Sequence, residues 1–258
     1  MTKVFVHGNP ETEGVWEPLV QALSDRGLDD MVVLLSPPGF GAPVPAGWDP
    51  GPAGYVAWLA DRLAGIGGHI DLVGHDWGAG HVFGLLSFRP DLVRSWAADC
   101  AGLLHPEGVW HDMAQVWQTP GAGEEAIAAM AALGNEERQV AYEGLGLPPG
   151  VAGPMAEAFD DDMGRCILAL YRGAPTAVMA DLGRRLGEAD LPPGLVIDAT
   201  EDAYVSSALT GQMAEPLGAE RLTLEGRGHW WMVEDPAGAA EGLLAFWAGL
   251  DEDESEER

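Results

Sequence analysis

Short apolar runs alternate with longer amphipathic stretches along most of the chain. The short runs span residues 4–6, 31–35, 70–73, 95–98, 195–197 and 221–224. Several of them are continuous rather than alternating in polarity, which is typical of strands buried on both faces of a parallel sheet. Helical spacing of apolar positions occurs between them, at 15–25, 54–64, 79–88, 206–215 and 236–250. The pattern predicts an α/β fold with a mostly parallel, doubly wound sheet.

The alternation breaks over residues 103–188, where no strand-like run occurs. Helical stretches at 109–116, 124–132, 136–143, 159–169 and 176–186 are separated there by segments such as Leu147-Pro148-Pro149-Gly150. We interpret residues 103–188 as a helical cap and residues 1–102 and 189–250 as the core. Residues 251–258 form a run of charged side chains, for which we expect a frayed, solvated acidic tail.

The charge of the chain limits its partners. Its 258 residues include 13 Lys and Arg against 41 Asp and Glu, which gives a formal net charge of −28 at pH 7. A surface this acidic repels nucleic acid and anionic lipid, so neither is expected as a partner. Two cysteines, Cys100 and Cys166, fit a reducing compartment. Without a signal-like or membrane-spanning run, we expect a cytoplasmic protein, and the sequence is compatible with a homodimer.

The strongest chemical motif is Gly74-His75-Asp76-Trp77-Gly78, which follows one predicted strand and precedes a predicted helix. A nucleophile flanked by small residues at such a junction forms a nucleophile elbow, which holds the central side chain at the top of the sheet. The central residue here is Asp76, and a carboxylate that attacks carbon forms an ester on the enzyme, which must then be hydrolysed. The flanking glycines favour this role over that of a helix cap.

A second motif, Val6-His7-Gly8-Asn9-Pro10, follows the first predicted strand. In sheets of this kind this loop supplies one backbone N–H to the oxyanion hole, and the residue after the nucleophile supplies another. The expected donors are the amides of Asn9 and Trp77.

The base and its acid are expected late in the chain. Gly226-Arg227-Gly228-His229 presents a histidine after the last predicted strand, and Asp202 follows the strand before it. The chain order is then nucleophile, acid and histidine. Asp99 also ends a predicted strand and is the alternative acid, although we favour Asp202. No HExxH, CxxC pair, GxxxxGK[ST] or complete dinucleotide fingerprint is present, so no metal and no cofactor are expected.

Together these segments resemble the α/β-hydrolase superfamily, in the branch whose nucleophile is an aspartate. That branch includes epoxide hydrolases, haloalkane dehalogenases and fluoroacetate dehalogenases. The resemblance covers nearly the whole chain, including Pro37-Pro38-Gly39-Phe40-Gly41, and is weakest in the cap. Because the first predicted strand begins close to Met1, the resemblance implies about six strands, without the family's first two.

Two cap segments resemble epoxide hydrolases. The segment from Val116 to Gly121 is similar to the lid stretch in which an aromatic residue and Gln precede x-Pro-Gly, and Leu170-Tyr171-Arg172 is similar to the stretch with one of two lid tyrosines. The resemblance implies that Tyr171 donates a proton to the epoxide oxygen, which suits a phenol with a pKa of about 10. Met113 stands where the second tyrosine is expected, so His111 or Tyr171 alone would serve; alternatively, Tyr171 only packs the cap onto the sheet.

Other residues resemble one group of haloalkane dehalogenases. Asn9 and Trp77 are similar to that group's halide clamp, whose amide and indole N–H groups bind the departing halide. That group usually takes its acid from the strand that ends at Asp99. A halide clamp at Asn9 and Trp77 would therefore be expected together with an acid at Asp99.

The sequence thus predicts a hydrolase that forms an ester on its aspartate and acts on a small, mainly apolar molecule, most simply an epoxide. The alternatives are a haloalkane dehalogenase that releases halide and a non-catalytic ligand-binding protein on the same fold. The expected catalytic residues are Asp76, His229, Asp202 and Tyr171. The expected pocket residues are His7, Met113, Trp117 and Trp230.

Overall fold

Six parallel strands form one open sheet in the order β2-β1-β3-β4-β5-β6. The structure is a computed structural model that describes the backbone of residues 1–256 and the side chains of residues 1–252. The strands are β1 (Thr2–Val6), β2 (Met31–Leu35), β3 (Ile70–Gly74), β4 (Ser95–Ala98), β5 (Gly194–Ala199) and β6 (Glu220–Leu224). The predicted parallel sheet of about six strands is confirmed.

The sheet changes direction at β1. From β1 the chain passes to β2 on one side and then crosses to β3 on the other. The register pairs Val6 with Gly74, so β1 and β3 end level with each other. Open parallel sheets bind ligands at such a switch point, beyond the carboxyl ends of the strands. The topology therefore brings the loop after β1 next to the loop after β3.

Helices cover both faces of the sheet. They are α1 (Glu17–Asp25), α2 (Pro52–Ile66), α3 (Trp77–Leu86), α10 (Ser207–Met213), α11 (Trp231–Glu234) and α12 (Pro236–Glu256). Val4 and Val6 point into the core beneath α2 and α3, whereas Phe5 points to the opposite core beneath α1 and α12. Among the described residues, none of the helices combines the length and apolarity needed to cross a membrane.

Six helices lie between β4 and β5. They are α4 (Asp112–Gln118), α5 (Ala122–Ala132), α6 (Asn135–Gly144), α7 (Pro149–Ala158), α8 (Asp161–Gly173) and α9 (Thr176–Gly187). The sequence predicts five of them. It misses α7, because the Pro-rich segment that suggested a break supplies Pro149 at the first helical turn, where proline is favoured. The division into core and cap remains our proposal.

The C-terminal helix is longer than predicted. Helix α12 continues to Glu256, whereas the sequence suggested an end at residue 250 and a frayed tail. The side chain of Arg94 reaches Asp251 with an N···O distance of 2.5 Å, which anchors the backbone beyond residue 250. The last two residues of the predicted tail, 257 and 258, lie outside the described residues.

Candidate active site

Asp76 lies in the sharp turn between β3 and α3, with a left-handed backbone at φ 53° and ψ −121°. This conformation is strained for a residue with a side chain, and nearby glycines make space for it. A Cβ on Gly78 would lie 2.0 Å from the carbonyl oxygen of Val6, and a Cβ on Gly8 would lie 2.1 Å from Oδ1 of Asp76. The carboxylate makes no capping hydrogen bond to α3, so it does not act as a helix cap.

The two carboxylate oxygens of Asp76 face different groups. Oδ1 accepts a hydrogen bond of 2.9 Å from the backbone amide of Asn9, and Oδ2 lies 3.7 Å from Nε2 of His229. Burial raises the pKa of Asp76 to about 6, although the nearby His229 opposes that rise. One oxygen is therefore held by a backbone N–H, while the other faces the imidazole.

Asp202 orients His229. The imidazole Nδ1–H donates to Oδ2 of Asp202 at 2.8 Å. In the neutral ring this leaves Nε2, on the side that faces Asp76, without a proton and able to accept one. Burial disfavours the imidazolium, but the charge and the hydrogen bond of Asp202 outweigh it, so the pKa of His229 lies above its usual value. Asp202 also accepts the backbone amides of Tyr204 and Val205 at 2.7 and 3.1 Å. Although burial opposes ionisation, His229 and these amides lower the pKa of Asp202.

Asp99, the alternative acid, is engaged elsewhere. Its carboxylate is hydrogen-bonded to Nδ1 of His75, and it accepts the indole N–H of Trp231 at 2.7 Å and the backbone amide of Asp76 at 3.0 Å. The end of β4 therefore supports the elbow from beneath, and Asp202 after β5 is the carboxylate bonded to His229. The alternative assignment of Asp99 is corrected accordingly.

A cavity of about 580 Å³ opens beside Asp76 and His229 and extends under the helices between β4 and β5. Most of its lining is apolar, and about half of it comes from α4, α5, α6 and α8; among the described residues, no lysine or arginine lines it. Met113 and Leu145 line the cavity and are also 47% and 53% exposed, so they mark its mouth. The arrangement suits an uncharged, largely apolar small molecule.

Three of the four expected pocket residues line this cavity: Met113, Trp117 and Trp230. His7 does not. It is fully buried, and its Nδ1 lies 2.9 Å from the carbonyl oxygen of Gly8.

Tyr171 projects from α8 into the cavity that Asp76 also lines. Its hydroxyl oxygen accepts a hydrogen bond of 3.2 Å from Nδ2 of Asn9, and its backbone carbonyl accepts Nε2 of Gln118 at 3.0 Å. The ring packs against Trp117, with ring centroids 4.9 Å apart. Burial and the charge of Asp76 hold the pKa of Tyr171 well above its usual value, so the phenol stays protonated.

His111 and Tyr204 also line the cavity, with their rings in edge contact at 5.1 Å. Nδ1 of His111 accepts the backbone amide of Ala114 at 3.3 Å and thereby caps α4. Burial lowers the pKa of His111 to about 4, so the ring is neutral at pH 7 and its proton resides on Nε2. This hydrogen bond at the helix N-terminus also explains why α4 begins at Asp112 rather than at residue 109.

The family model described as the alpha/beta hydrolase family matches residues 4–241. This chain belongs to the alpha/beta hydrolase family. A comparison with curated proteins gives no match.

Several solved structures share the fold of this hydrolase. A haloalkane dehalogenase from Bradyrhizobium elkani is 20% identical with a TM-score of 0.76, and the match covers 98% of this chain and 91% of that one. A putative ancestral haloalkane dehalogenase is 20% identical with a TM-score of 0.69, covering 97% and 92%. An E-2-(acetamidomethylene)succinate hydrolase is 18% identical with a TM-score of 0.67, covering 96% and 91%. These likenesses concern the fold.

A buried cluster of side chains beside Asp76 was not predicted. Nε2 of His75 lies 3.0 Å from Oε1 of Glu11, and the other ring nitrogen meets Asp99. Burial opposes the charge, but the two carboxylates raise the pKa of His75 well above its usual value. Glu11 also accepts the amide of Gly8 at 3.0 Å and the indole N–H of Trp230 at 2.7 Å. The cluster therefore ties together the loops after β1, β3 and β6.

Two groups of side chains in the described residues bring potential metal ligands together: Glu11 with His75 and His229, and Cys100 with Asp202 and His229. Nδ1 of His229 is bonded to Asp202, and both nitrogens of His75 are bonded to carboxylates. A metal ion in either group would have to displace these hydrogen bonds.

Proposed function

We propose that this hydrolase converts an epoxide into a diol through an ester on Asp76. The observation that carries the proposal is the phenol of Tyr171, which is kept protonated and lines the same cavity as Asp76. An epoxide needs both groups, since its carbon must be attacked while its oxygen receives a proton.

In the first step, Oδ2 of Asp76 attacks an epoxide carbon and the carbon–oxygen bond of the ring breaks. Tyr171 gives its proton to the departing oxygen and becomes a phenolate. The neutral imidazole of His111 supplies a second N–H from the cavity wall, in the role that the second lid tyrosine has in the resembling family. Oδ1 becomes the carbonyl oxygen of the new ester.

In the second step, His229 removes a proton from water, and the hydroxide adds to the ester carbonyl carbon. The amide of Asn9, already 2.9 Å from Oδ1, stabilises the oxyanion, and we assign the amide of Trp77 as its partner. Collapse releases the diol, whose second hydroxyl takes the proton held by His229. The proton of the regenerated Asp76 carboxylic acid returns to the Tyr171 phenolate.

The second candidate is haloalkane dehalogenation, which uses the same nucleophile and base. The amide N–H of Asn9 and the indole N–H of Trp77 favour it, because such donors bind halide. The hydrogen bond between His229 and Asp202 weighs against it, because the clamp and an acid at Asp99 are linked predictions.

A panel of matched substrates tests the proposal: a terminal alkyl epoxide and the 1-bromoalkane of the same chain length, each incubated with the enzyme and with Asp76→Asn. We expect diol from the epoxide, no bromide release, and neither product from Asp76→Asn. Bromide release without diol formation would identify haloalkane dehalogenation, rather than epoxide hydrolysis, as the reaction. Tight binding of either compound without turnover would favour the ligand-binding alternative.

A further inference from the structure

The hydroxyl oxygen of Tyr171 lies before two buried N–H donors from the core of the protein. Nδ2 of Asn9 donates to it at 3.2 Å. The ring of Trp77 stands perpendicular to that of Tyr171, with centroids 5.3 Å apart. The buried Nε1 of Trp77 has no hydrogen-bond partner. Although burial and the charge of Asp76 raise the pKa of Tyr171 overall, Asn9 and Trp77 both act to lower it.

The indole N–H of the neighbouring Trp110 has a different partner. Its ring stacks on Trp77 at 5.6 Å and contacts Tyr171 at 5.0 Å. Its Nε1, however, donates to the carbonyl oxygen of Ala174 at 2.7 Å. Of these two tryptophans, only Trp77 has a buried indole N–H without a hydrogen-bond partner.

The two donors should matter most when the phenol oxygen carries a charge. A neutral phenol gains little from a second N–H, whereas a phenolate gains strongly, because hydrogen bonds to charged groups are about twice as strong as neutral ones. Donors already oriented in a buried site stabilise such a charge without reorganisation. Their effect would therefore be greatest when Tyr171 has lost its proton.

We propose that the side chains of Asn9 and Trp77 stabilise the Tyr171 phenolate that forms as the epoxide opens. The inference rests on the proposed function and adds the role of the two side chains. The proton leaves the phenol for the epoxide oxygen as the ester bond to Asp76 forms, and the electron pair stays on the Tyr171 oxygen until the Asp76 proton returns to it. The donors that would bind a halide in a dehalogenase thus act here on a protein oxygen.

A double-mutant cycle on the alkylation step tests this role. Asn9→Leu removes the side-chain donor but keeps the backbone amide that binds Asp76. Alkylation is measured in single turnover by the quenching of tryptophan fluorescence and by the mass of the Asp76 ester, in the wild-type and Tyr171→Phe backgrounds. We expect Asn9→Leu to slow alkylation about tenfold to a hundredfold in the first background and less than threefold in the second. Trp77→Phe should behave in the same way, with a smaller effect.

Trp110→Phe is the matched control. Trp110→Phe loses ring packing and the hydrogen bond to Ala174, neither of which acts on the phenol oxygen, so its effect on alkylation should be the same in both backgrounds.

Equal losses from Asn9→Leu in both backgrounds would overturn the inference, because Asn9 would then bind the leaving group directly. Faster alkylation in Asn9→Leu would overturn it as well. Neither outcome touches the proposed function, which fails only if wild-type enzyme forms no Asp76 ester and no diol from any epoxide of the panel.

Discussion

The imidazole of His229 and the carboxylate of Asp202 are joined by a hydrogen bond of 2.8 Å, although 26 residues separate them in the chain. Asp99 also ends a strand, but it meets His75 instead. The two carboxylates therefore have different tasks: one fixes the tautomer of His229, and the other supports the turn that carries Asp76.

Exchanging these acids for amides should separate the two tasks. Asp202→Asn should lower kcat about 10³- to 10⁴-fold, because the amide favours the wrong tautomer of His229, while the fold persists. Asp99→Asn leaves a buried charge without one of its partners and should lower the free energy of unfolding by about 3 kcal/mol. Steady-state kinetics and urea unfolding of both variants measure the two effects. A kcat loss confined to Asp99→Asn would reverse the assignment.

Removal of the base should trap the ester. In His229→Gln, Asp76 can still be alkylated, but no group activates water, so the intermediate should accumulate to about one equivalent per enzyme. Mass spectrometry of the peptide that contains Asp76 measures the adduct. The double variant with Asp76→Asn is the control and should remain unmodified. An unmodified Asp76 peptide in His229→Gln would refute the covalent mechanism.

The rates of alkylation and of ester hydrolysis should fall at different pH values as the solution is acidified. Alkylation needs ionised Asp76, whose pKa is raised to about 6, so its rate should fall as the pH drops through about 6. Hydrolysis needs neutral His229, whose pKa is raised above its usual value, so its rate should already fall at a higher pH. Single-turnover kinetics of the wild-type enzyme measure the pH dependence of each rate separately. An alkylation midpoint near pH 4 would mean that Asp76 is not desolvated as the structure indicates.

Tyr171→Phe removes one hydroxyl and should slow epoxide opening by about 10²- to 10⁴-fold. Tyr55→Phe is the matched control, since its hydroxyl donates to the carbonyl of Pro38 at 2.7 Å in the core. We expect Tyr55→Phe to keep its diol formation while losing about 1 kcal/mol of stability. Equal rates for the two variants would remove Tyr171 from the mechanism.

His81 should make the fold sensitive to acid. Its ring is buried, stacks on Tyr55 at 4.7 Å and has an unpartnered Nε2. Burial lowers the pKa of His81 to about 3, below its usual value of about 6.5. Protons therefore bind the unfolded chain first, and the resulting loss of stability begins as the pH falls below 6.5 and reaches about 2 kcal/mol at pH 5.

In His81→Phe, the difference in unfolding free energy between pH 8 and pH 5 should shrink by about 2 kcal/mol. Urea unfolding at both pH values measures it, and the comparison within one variant cancels any change in packing. If the difference in unfolding free energy between the two pH values is the same in His81→Phe and in the wild-type protein, other groups cause the sensitivity to acid.

The strands and the order of the loops that carry the candidate site could be predicted because their signals are local. A continuous apolar run such as 195–197 indicates a strand buried on both faces, and β5 is buried throughout. Glycines beside Asp76 indicate a sharp turn. Helix α7 was missed because Pro149 both breaks a preceding helix and begins a new one. Local sequence does not distinguish those two roles.

Contacts between distant segments could not be predicted. Glu11 lies in an ordinary polar loop, and nothing in that loop indicates that it binds His75, 64 residues away. His111 and Tyr204 meet at the cavity only because the segment before α4 packs against the loop after β5. Met113 does line the cavity where a tyrosine was expected, but a thioether cannot supply the missing proton.

Side chains from two parts of the chain meet at the cavity. Asp76 and His229 come from loops after strands of the sheet, whereas Tyr171 and much of the apolar wall come from the helices between β4 and β5. In the proposed reaction, the shape that admits a molecule is therefore encoded largely apart from the groups that hydrolyse the ester. A laboratory library restricted to the apolar wall positions within residues 112–173, with Tyr171 held constant, should retune which molecule is accepted without altering Asp76, His229 or Asp202.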